Sequence, residues 1–309
     1  MSPDSAKVPV VVEGRQLTLS NLDKVLYPEA GFTKGQVLDY YTRMAPVLLP
    51  HLAGRPLTFK RYPNGVAGHF FFEKNAPSHR PSWVRTAVLA TPGSTKNRET
   101  INFAVVNDLP TLVWVANLAS LELHVPMWRV DPRGGPQDPD LLVFDLDPGS
   151  PASIVKCCRV AGLLRAALAE DGLAAFPKTS GSKGLQLYVP LAGGAEPGRT
   201  SAYAKGLAER LERAEPALVV SRMAKELRGG KVLVDWSQNN PAKTTVAVYS
   251  LRARPHPTVS TPVTWTEVEA CVAAGDPELL RFTSDDVLQR VSASGDLFAP
   301  LLRPTARLP

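Results

Sequence analysis

Hydrophobic and polar positions along the chain follow two different periods, which predicts a mixture of helices and strands. Four segments have apolar residues at the helical spacing, and their starts carry Ser or Thr residues that can cap a helix. They are "TKGQVLDYYTRMAPVLLPHL" from Thr33, "SIVKCCRVAGLLRAALAEDG" up to Gly172, "TPVTWTEVEACVAAG" and "TSDDVLQRV". We expect each of them to pack its apolar face on a core.

Shorter apolar or alternating runs predict strands between these helices. These runs are "HFFFEKN", "LASLELHVPMW", "LLVFDLD", "GLQLYVPL" and "KVLVDW". No repeat and no low-complexity array interrupts them. Strands and helices therefore follow one another in mixed order along the chain.

The strand "LLVFDLDPG" carries two carboxylates, Asp145 and Asp147, directly behind its apolar residues. Residues two apart in a strand project from the same face, so both carboxylates point together. Two close buried like charges need a positive partner, and a divalent metal ion is the obvious one. The alternative is that both acids lie in a turn that begins at "DPGS", which is the commoner case for two such acids alone.

A third carboxylate, Asp235, ends the strand of "KVLVDW" in the same way. Three carboxylates from adjacent strands can hold a pair of Mg²⁺ or Mn²⁺ ions together with substrate phosphates, as in nucleotidyl transfer. Between the two strands lies "KTSGSKGLQLYVP", whose backbone amides, Ser180 hydroxyl and Lys183 can cradle a triphosphate. This turn does not have the P-loop pattern, and alone it is equally an ordinary glycine turn.

The positive charge is concentrated in one stretch of the chain. Between Arg222 and Arg254 there are seven Lys or Arg residues against two acidic ones, while the formal net charge of the whole chain is +6. Clustered cations favour a polyanionic partner such as nucleic acid or nucleotide. A solvated charged face is the alternative.

Length, cysteines and the N-terminus narrow the class of protein. A chain of 309 residues can bury a sizeable core as one large domain or two closely packed ones. Cys157, Cys158 and Cys271 give neither a disulfide framework nor a metal-ligand spacing, so we expect a reducing cytoplasm. "MSPDSAKVPV" lacks the build of a signal peptide, and no apolar stretch is long enough to span a bilayer. These features predict a soluble protein with no membrane partner.

Taken in order, "LELHVPMW", "VFDLDPG", "TSGSKGLQLYVP" and "VDWSQNNPAKTTVAVYSLRAR" closely resemble the polymerase domain of bacterial ligase D. That domain belongs to the archaeo-eukaryotic primase superfamily and serves in non-homologous end joining. The resemblance runs from "LSNLDKVLYPEAGFTKG" to "LFAP", nearly the whole chain. No nucleotidyltransferase lysine signature of a ligase is present, so a stand-alone version of the domain is expected.

The resemblance implies an α+β fold with a primase-type catalytic core of mixed or antiparallel sheets flanked by helices, and an N-terminal module that grips DNA. Residues 1–309 would form one primase-polymerase domain, with a DNA-binding part at about 1–120 and the catalytic core with C-terminal helices at about 121–309. Asp145, Asp147 and Asp235 would bind two divalent ions, Mn²⁺ or Mg²⁺. The catalytic ion would lower the pKa of the primer 3′-hydroxyl.

The resemblance also assigns a nucleotide-binding set. Arg228 would lie close to Asp235 and help to set its position, and His124 of "LELH" and Arg252 of "SLRAR" would meet the triphosphate. Taken alone, His124 reads as a satisfied histidine near a strand end, and the two arginines as surface cations. The full set is Lys60, His124, Ser180, Lys183, Arg228, Gln238 and Arg252.

The N-terminal matches concern DNA. Asn21, Lys24 and Lys34 fall where the family binds the 5′-phosphate across a gap, and Phe71 and Phe72 match an aromatic pair that stacks on template bases. A helix-capping lysine pair and a core phenylalanine run are the alternatives. For Phe70 we expect a core position.

One position departs from the superfamily. Many members have a histidine in the strand after the glycine turn, where this chain has Gln186. Glutamine can donate a hydrogen bond to a phosphate but cannot carry a charge. Full equivalence at this position is therefore in doubt.

The sequence thus predicts a template-directed nucleotidyltransferase that extends 3′-hydroxyl ends and fills short gaps in bacterial DNA repair, at the nucleoid. The resemblance suggests manganese dependence and acceptance of ribonucleotides. It also suggests as partners gapped or broken DNA with a 5′-phosphate, NTP or dNTP, a DNA ligase and a Ku-type end-binding protein. Two alternatives stay open. One is a DxD metal-dependent phosphohydrolase, for which Gly149 is an unfavourable residue, and the other is a non-catalytic DNA-end-binding module.

Overall fold

In a computed structural model of the chain, residues 7–91, 99–193, 195–304 and 306–309 are described. The helices in these residues are α1 (Lys34–Leu52), α2 (Leu109–Asn117), α3 (Ile154–Glu170), α4 (Pro197–Ala214), α5 (Trp265–Ala274) and α6 (Ser284–Ser294). None of the described helices is both long and apolar enough to cross a membrane. The first six residues, which belong to the stretch interpreted as lacking a signal peptide, lie outside the described ranges.

The strands form two main sheets and two small hairpins. In chain order they are β1 (Lys7–Val12), β2 (Arg15–Ser20), β3 (Val25–Tyr27), β4 (Phe32–Thr33), β5 (Pro56–Arg61), β6 (Phe71–Glu73), β7 (Thr86–Ala90), β8 (Thr100–Val105), β9 (Ser120–Val125), β10 (Leu141–Pro148), β11 (Phe176–Thr179), β12 (Leu185–Pro190), β13 (Val219–Val220), β14 (Val232–Asp235) and β15 (Thr245–Val246). This composition confirms the predicted α+β class.

A five-stranded sheet has the order β11-β12-β10-β14-β13, and every pairing in it is antiparallel except that of β13 with β14. The apolar positions of its strands face helices α3, α4 and α5 in one core cluster, which includes Phe144, Leu164 and Leu207. Strand β10 lies in the middle, where neighbours on both sides fix its register. This central place is the reason its acidic end can be positioned accurately.

The second sheet has the order β15-β9-β5-β8-β7, with β6 pairing to β5. Its core cluster includes α1 and α2, and the hydroxyl of Tyr41 on α1 donates to the Leu121 carbonyl at 2.7 Å. Strand β15 comes from the C-terminal half of the chain and pairs with β9, so Val246 lies opposite His124. The pairing brings segments more than 100 residues apart in sequence to one sheet edge.

The predicted helix starts are confirmed by local hydrogen bonds. Thr33, Thr264 and Thr283 each accept from the backbone N–H three residues later, and the side chain at that later position returns a bond, which completes a capping box. At α3 the Ser153 hydroxyl accepts from the Val155 N–H, and the helix ends before Gly172. The five strand predictions are also confirmed, whereas α2, α4, the β1–β2 hairpin and β7 were not anticipated.

One expectation from the sequence is wrong. Phe70 lies outside the core, with 42% of its surface exposed, and its ring stacks on Tyr62 at a centroid distance of 5.3 Å. It comes just before the short edge strand β6, where Tyr62, Phe72 and the Lys60 ammonium surround the ring without enclosing it. The three cysteines are free and buried.

Candidate active site

The three predicted acids meet on one face of the five-stranded sheet. In the antiparallel register Asp145 lies directly opposite Asp235, and Asp147 lies two residues further along β10. Residues paired across two strands point to the same side, and so do residues two apart, so the three carboxylates share a face. Asp235 is buried, Asp145 is partly buried, and Asp147 is exposed.

Burial and like charge perturb these acids. Burial, followed by the negative charge of Asp147, raises the pKa of Asp145 to about 7. Burial and the charge of Asp235 also raise the pKa of Asp147, while the guanidinium groups of Arg228 and Arg252 oppose that rise. Strongly shifted carboxylates in one cluster are typical of functional sites. Bringing these like charges together costs free energy, and a bound cation would relieve that cost by neutralising them.

Asp235 is held from its own strand end. A short 3₁₀ turn, Trp236–Asn239, follows β14 and supplies the Ser237 N–H at 2.9 Å and the Gln238 side-chain amide at 2.8 Å to the Asp235 carboxylate. Gln238 thus contacts a carboxylate of the triad. The hydrogen bonds fix the Asp235 rotamer and leave further lone pairs on its oxygens for a cation.

The donor set fits a hard divalent ion bound in an open site. Within the described ranges, no group of three or more His, Cys, Asp or Glu side chains is placed so that it could hold a metal ion by itself, so a bound ion would need ligands from the substrate. Mg²⁺ and Mn²⁺ commonly take a few carboxylates and complete their coordination with substrate phosphates and water. Asp145, Asp147 and Asp235 supply oxygen ligands of that kind.

The turn of "SGSK" lies between β11 and β12, beside the acids. Ser180 Oγ accepts from the Gly184 N–H at 3.1 Å and from the Ser182 N–H at 3.3 Å, so this hydroxyl organises the turn from inside. A Cβ on Gly184 would lie 2.3 Å from the Leu146 carbonyl oxygen, between the two acids of β10. Glycine is therefore required for the turn to approach β10 this closely. Lys183 is exposed at the rim of the turn.

Glu122 on β9 is a site residue that the sequence interpretation missed. It is 4% exposed, and its Oε2 accepts a hydrogen bond from His124 Nε2 at 3.0 Å. Its Oε1 accepts from the Ala253 N–H at 3.0 Å and lies 3.4 Å from Arg252 Nε. Burial alone would raise the pKa of Glu122, but the His124 hydrogen bond and the Arg252 charge lower it, so the group is ionised. The sequence feature that could have indicated Glu122 was its place in "LELH", two residues before His124.

Arg252 links the two sheets. Besides Glu122, its guanidinium donates to the Ser180 carbonyl oxygen, and its charge acts on Asp147. His124 is mostly buried, and desolvation lowers its pKa in spite of Glu122, so the neutral imidazole donates to the carboxylate. His124, Arg252 and Ser180 therefore stand around one cleft beside the acids.

Lys60 lies in a row of side chains across the second sheet. In register it is opposite Glu122 on β9 and Phe72 on β6, and residues paired in this way share a face. Its ammonium stands 3.9 Å from the ring centroid of Phe70 and 5.3 Å from that of Phe72. The cation is thus partly desolvated by aromatic faces, and burial lowers its pKa.

Phe71 and Phe72 are exposed on β6, with 40% and 54% of their surfaces accessible. Successive strand residues point to opposite sides, so Phe72 lies with Lys60 and Phe71 with Arg61, whose guanidinium is 5.3 Å from the Phe71 ring. Each ring is exposed next to a cation on its own side of β6, and each therefore offers a face on which a base can stack.

Arg228 is placed by the backbone of the β10 loop. A Cβ on Gly149 would overlap the Arg228 carbonyl at 1.9 Å, so the chain around Arg228 packs directly on the loop after Asp147. Its guanidinium donates to the Met223 carbonyl, and its charge lowers the pKa of Asp147. Arg228 therefore acts electrostatically on the exposed acid of the triad.

Asn21, Lys24 and Lys34 lie together at the start of α1. The Lys34 N–H donates to the Lys24 carbonyl at 2.8 Å, and the Lys24 N–H donates to the Asn21 carbonyl at 3.1 Å. Lys24 is exposed and its ammonium donates to Asn64 Oδ1 at 3.0 Å. Asn21 has a positive φ of 54°, which asparagine tolerates.

Lys34, by contrast, is buried. Its ammonium donates to the Ser20 carbonyl at 2.6 Å, to Ser20 Oγ at 3.3 Å and to Asn117 Oδ1 at 2.8 Å. All three acceptors are neutral. Burial, followed by the charges of Lys24 and Arg61, lowers the pKa of Lys34 to about 8. Because its three donors already have protein acceptors, Lys34 can act on an anion at this corner only through its charge, whereas the exposed Lys24 could contact one directly.

The shifted pKa of Asp145 gives a testable pH dependence. Below pH 7 a proton on Asp145 competes with a cation, so Mn²⁺ affinity is expected to rise from pH 6 to pH 8, by up to about tenfold for each unit below the pKa. Calorimetry in two buffers with different ionisation enthalpies would measure both the affinity and the proton released. Asp145→Asn should weaken Mn²⁺ binding and reduce its pH dependence to the part that Asp147 contributes, and a wild-type affinity that is constant over this range would contradict the assignment.

Comparison with known proteins agrees with this geometry. Residues 33–298 match the family described as the LigD primase-polymerase domain. The multifunctional non-homologous end joining protein LigD of Mycolicibacterium smegmatis is 48% identical over 287 residues, and the bifunctional protein LigD of Bacillus subtilis is 32% identical over 289 residues. The match covers 93% of this chain in both cases, but only 36% and 44% of those two proteins.

A solved structure is similar over nearly its whole length. The polymerase domain from Mycobacterium tuberculosis ligase D in complex with DNA superposes with a TM-score of 0.86 at 46% identity, covering 93% of this chain and 98% of that chain. The fold, the sequence identity and the extent of the match agree with one another. The chain belongs to the LigD primase-polymerase domain family.

Proposed function

We propose that this chain is a template-directed nucleotidyltransferase that adds nucleotides to the 3′-hydroxyl of a DNA end or gap and releases pyrophosphate. The carrying observation is that Asp145, Asp147 and Asp235 share one face of the sheet, next to a cationic cleft that contains Arg252 and the Ser180 turn. Carboxylates beside cationic side chains are what metal-assisted phosphoryl transfer requires.

Two divalent ions held by the three aspartates, Mn²⁺ or Mg²⁺, would supply Lewis acidity toward the 3′-hydroxyl and the triphosphate when bound. The family is metal-dependent in general. The chain's own groups then have separate roles. Arg252, Lys183, Ser180 and His124 bind the triphosphate, Lys60 lies at the nucleotide site, and Gln238 holds Asp235. Arg228 offsets the charge of Asp147.

The wider role follows from the DNA-facing residues. Phe71 and Phe72 would stack on template bases, and Asn21, Lys24 and Lys34 would receive a 5′-phosphate, with residues up to about 120 gripping DNA and the rest forming the catalytic core. The enzyme would fill short gaps and accept ribonucleotides. It would act at the bacterial nucleoid, together with a ligase and a Ku-type protein. Two similar proteins support this proposal. LigD of Mycolicibacterium smegmatis is a non-homologous end joining protein, and the ligase D polymerase domain of Mycobacterium tuberculosis was solved in complex with DNA.

A primer-extension assay tests the proposal and separates it from the alternatives. The full chain is incubated with a template–primer, each nucleotide type, and Mn²⁺ or Mg²⁺. Extension by the templated nucleotide with release of pyrophosphate is the expected result. Release of inorganic phosphate without extension would favour a phosphohydrolase, and DNA binding with neither product would favour an end-binding module.

The corner formed by Lys24 and Lys34 predicts a preference for phosphorylated gaps. A gapped duplex with a downstream 5′-phosphate is expected to bind about 5- to 150-fold more tightly than the same duplex with a 5′-hydroxyl, the range for hydrogen bonds to a charged group. Fluorescence anisotropy at one fixed salt concentration measures both affinities. Lys24→Ala with Lys34→Ala should erase the preference and spare extension on an open-ended template–primer.

Replacement of Lys24 and replacement of Lys34 should change the stability of the fold by different amounts. Lys24 is exposed, so Lys24→Ala leaves the core intact, whereas Lys34→Ala removes three hydrogen bonds and creates a buried gap. The single Lys24→Ala variant is therefore the cleaner probe, and Lys205→Ala on the surface of α4 serves as a matched control. Equal affinity of the unmutated protein for both ends would refute the gap-filling role.

A further inference from the structure

A buried lysine lies behind the aspartates. Lys178 on β11 is 1% exposed, and its ammonium donates to Gln186 Oε1 at 2.6 Å, to Ser260 Oγ at 2.6 Å and to the Val246 carbonyl at 3.1 Å. An ammonium has three N–H donors, so these three acceptors use all of them. All three acceptors are neutral, so burial lowers the pKa of Lys178 well below its usual range, and the negative charge of Asp145 opposes that fall and favours the ammonium form. Its position therefore calls for a function.

Gln186 connects this lysine with the triad. On β12 it lies opposite Lys178 on one side and opposite Asp145 on the other. Because Gln186 and Asp145 are paired across the strands, their side chains lie next to each other on one face, and hydrogen bonding from Gln186 opposes the rise in the Asp145 pKa. The hydroxyl of Tyr188 stands 3.4 Å from the same Gln186 Oε1 that receives Lys178. The three side chains thus form a chain from Lys178 through Gln186 to Asp145.

The orientation of the Gln186 amide decides whether Gln186 can accept from Lys178 and donate to Asp145 at the same time. A glutamine side chain can be turned end for end with little change in shape, and only its partners choose between the two orientations. A carboxylate accepts hydrogen bonds, so Asp145 needs the NH₂ end. An ammonium only donates, so Lys178 needs the oxygen end and holds it at 2.6 Å. Lys178 therefore makes the orientation required by Asp145 the only one that satisfies both ends.

We propose that Lys178 is a positioning residue for the metal-binding carboxylate Asp145 and acts through the amide of Gln186. The inference rests on the proposed function, because it assumes that Asp145 binds a metal ion. It also accounts for glutamine at a position where many superfamily members have histidine. Imidazole carries a donor in either tautomer, whereas a glutamine needs an outside group to define which end faces the carboxylate.

Metal binding without nucleotide or DNA tests the inference. Free Mn²⁺ is counted by electron paramagnetic resonance while the full chain is titrated. Lys178→Met is expected to weaken Mn²⁺ binding by about 10- to 100-fold, the usual cost of losing a group that orients a metal ligand. Gln186→Met should weaken it to a similar extent. The double variant should be no weaker than either single one, since both changes interrupt the same chain.

A rescue variant separates positioning from stability. Lys178→Met leaves the Ser260 hydroxyl and the Val246 carbonyl without their donor, so its melting temperature should fall. Adding Gln186→His should restore Mn²⁺ affinity, because the imidazole can donate to Asp145 without Lys178, while the loss of melting temperature remains. Lys205→Met makes the same chemical change on the surface and should bind Mn²⁺ like the wild type.

The outcomes distinguish this inference from the proposed function. If Lys178→Met does not fold, Gln186→Met carries the test, and unchanged Mn²⁺ affinity in that variant overturns the inference. Failure of Gln186→His to restore affinity in a folded Lys178→Met protein overturns it as well. If the wild type itself binds no Mn²⁺, or if Asp147→Asn binds as well as the wild type, the metal triad of the proposed function fails instead.

Discussion

Alanine at Asp147 is expected to abolish primer extension while leaving DNA binding largely intact. The loss should be at least about 10²- to 10³-fold, because charge stabilisation of several kcal/mol in the transition state depends on the carboxylates that hold the metal ions. DNA binding should persist because we expect it to depend on the cations and aromatic rings of β5 and β6 in the second sheet and on the lysines at the start of α1. Single-nucleotide extension in Mn²⁺ and anisotropy with labelled DNA at the same salt concentration measure the two effects. Asp145→Ala should behave in the same way.

Asp147 is the better of the two sites for this test because it is exposed. Its charge contributes to the raised pKa of Asp145, so its removal relieves repulsion and should leave the metal-free protein at least as stable. The melting temperature of Asp147→Ala in a chelator therefore serves as the control for folding. Extension at the wild-type rate by Asp147→Ala or Asp145→Ala would sink the assignment of the metal triad.

Replacing Glu122 by glutamine is expected to lower kcat by about 100-fold, the cost of a misplacement of about 1 Å at a reacting centre. Glu122 holds both His124, at 3.0 Å, and Arg252, at 3.4 Å, and without its charge neither group keeps its orientation. Without the negative charge of Glu122, the site also attracts the triphosphate more strongly. This stronger attraction opposes the weaker binding that results from the lost contacts. These two effects offset each other in KM, so the main change should appear in kcat.

Steady-state kinetics with one nucleotide and a fixed template–primer separates kcat from KM. Glu267→Gln is the matched control, since Glu267 is also ion-paired, to Arg290 at 2.5 Å, but lies on α5 away from the cleft. That variant should lose stability through the weakened pairing with Arg290, keep its capping box because glutamine also closes one, and keep its kcat. An unchanged kcat in Glu122→Gln would show that His124 and Arg252 are positioned without the carboxylate.

Local patterns in the sequence were enough for the elements that carry the acids. The apolar run before Asp145 and Asp147 predicts a buried strand, and the antiparallel pairing of β10 with β14 brings Asp235 opposite Asp145 as the matching pattern of "KVLVDW" suggested. Capped helix starts at Thr33, Thr264 and Thr283 were predictable for the same reason. The period of two or 3.6 residues and the capping bonds are set within a few neighbouring residues.

Burial was not predictable in the same way. Phe70 belongs to an apolar run but lies beside a short edge strand, where the few neighbours around its ring leave 42% of its surface exposed. Lys34 looks like a solvent-exposed helix-start lysine, yet the β1–β2 hairpin and Asn117 enclose it. In both cases the outcome depends on elements whose positions relative to each other follow from the packing of the whole sheet.

The roles of Glu122 and Lys178 were decided by the tertiary structure alone. Glu122 meets Ala253 across 131 residues of sequence, and Lys178 meets Ser260 across 82. A hydrogen bond between such distant residues depends on strand register and on how two sheets pack, and neither leaves a periodic trace in the sequence. The sequence therefore determined the three clustered carboxylates and the strands that bear them, whereas the fold determined which buried charged side chains lie behind and beside them.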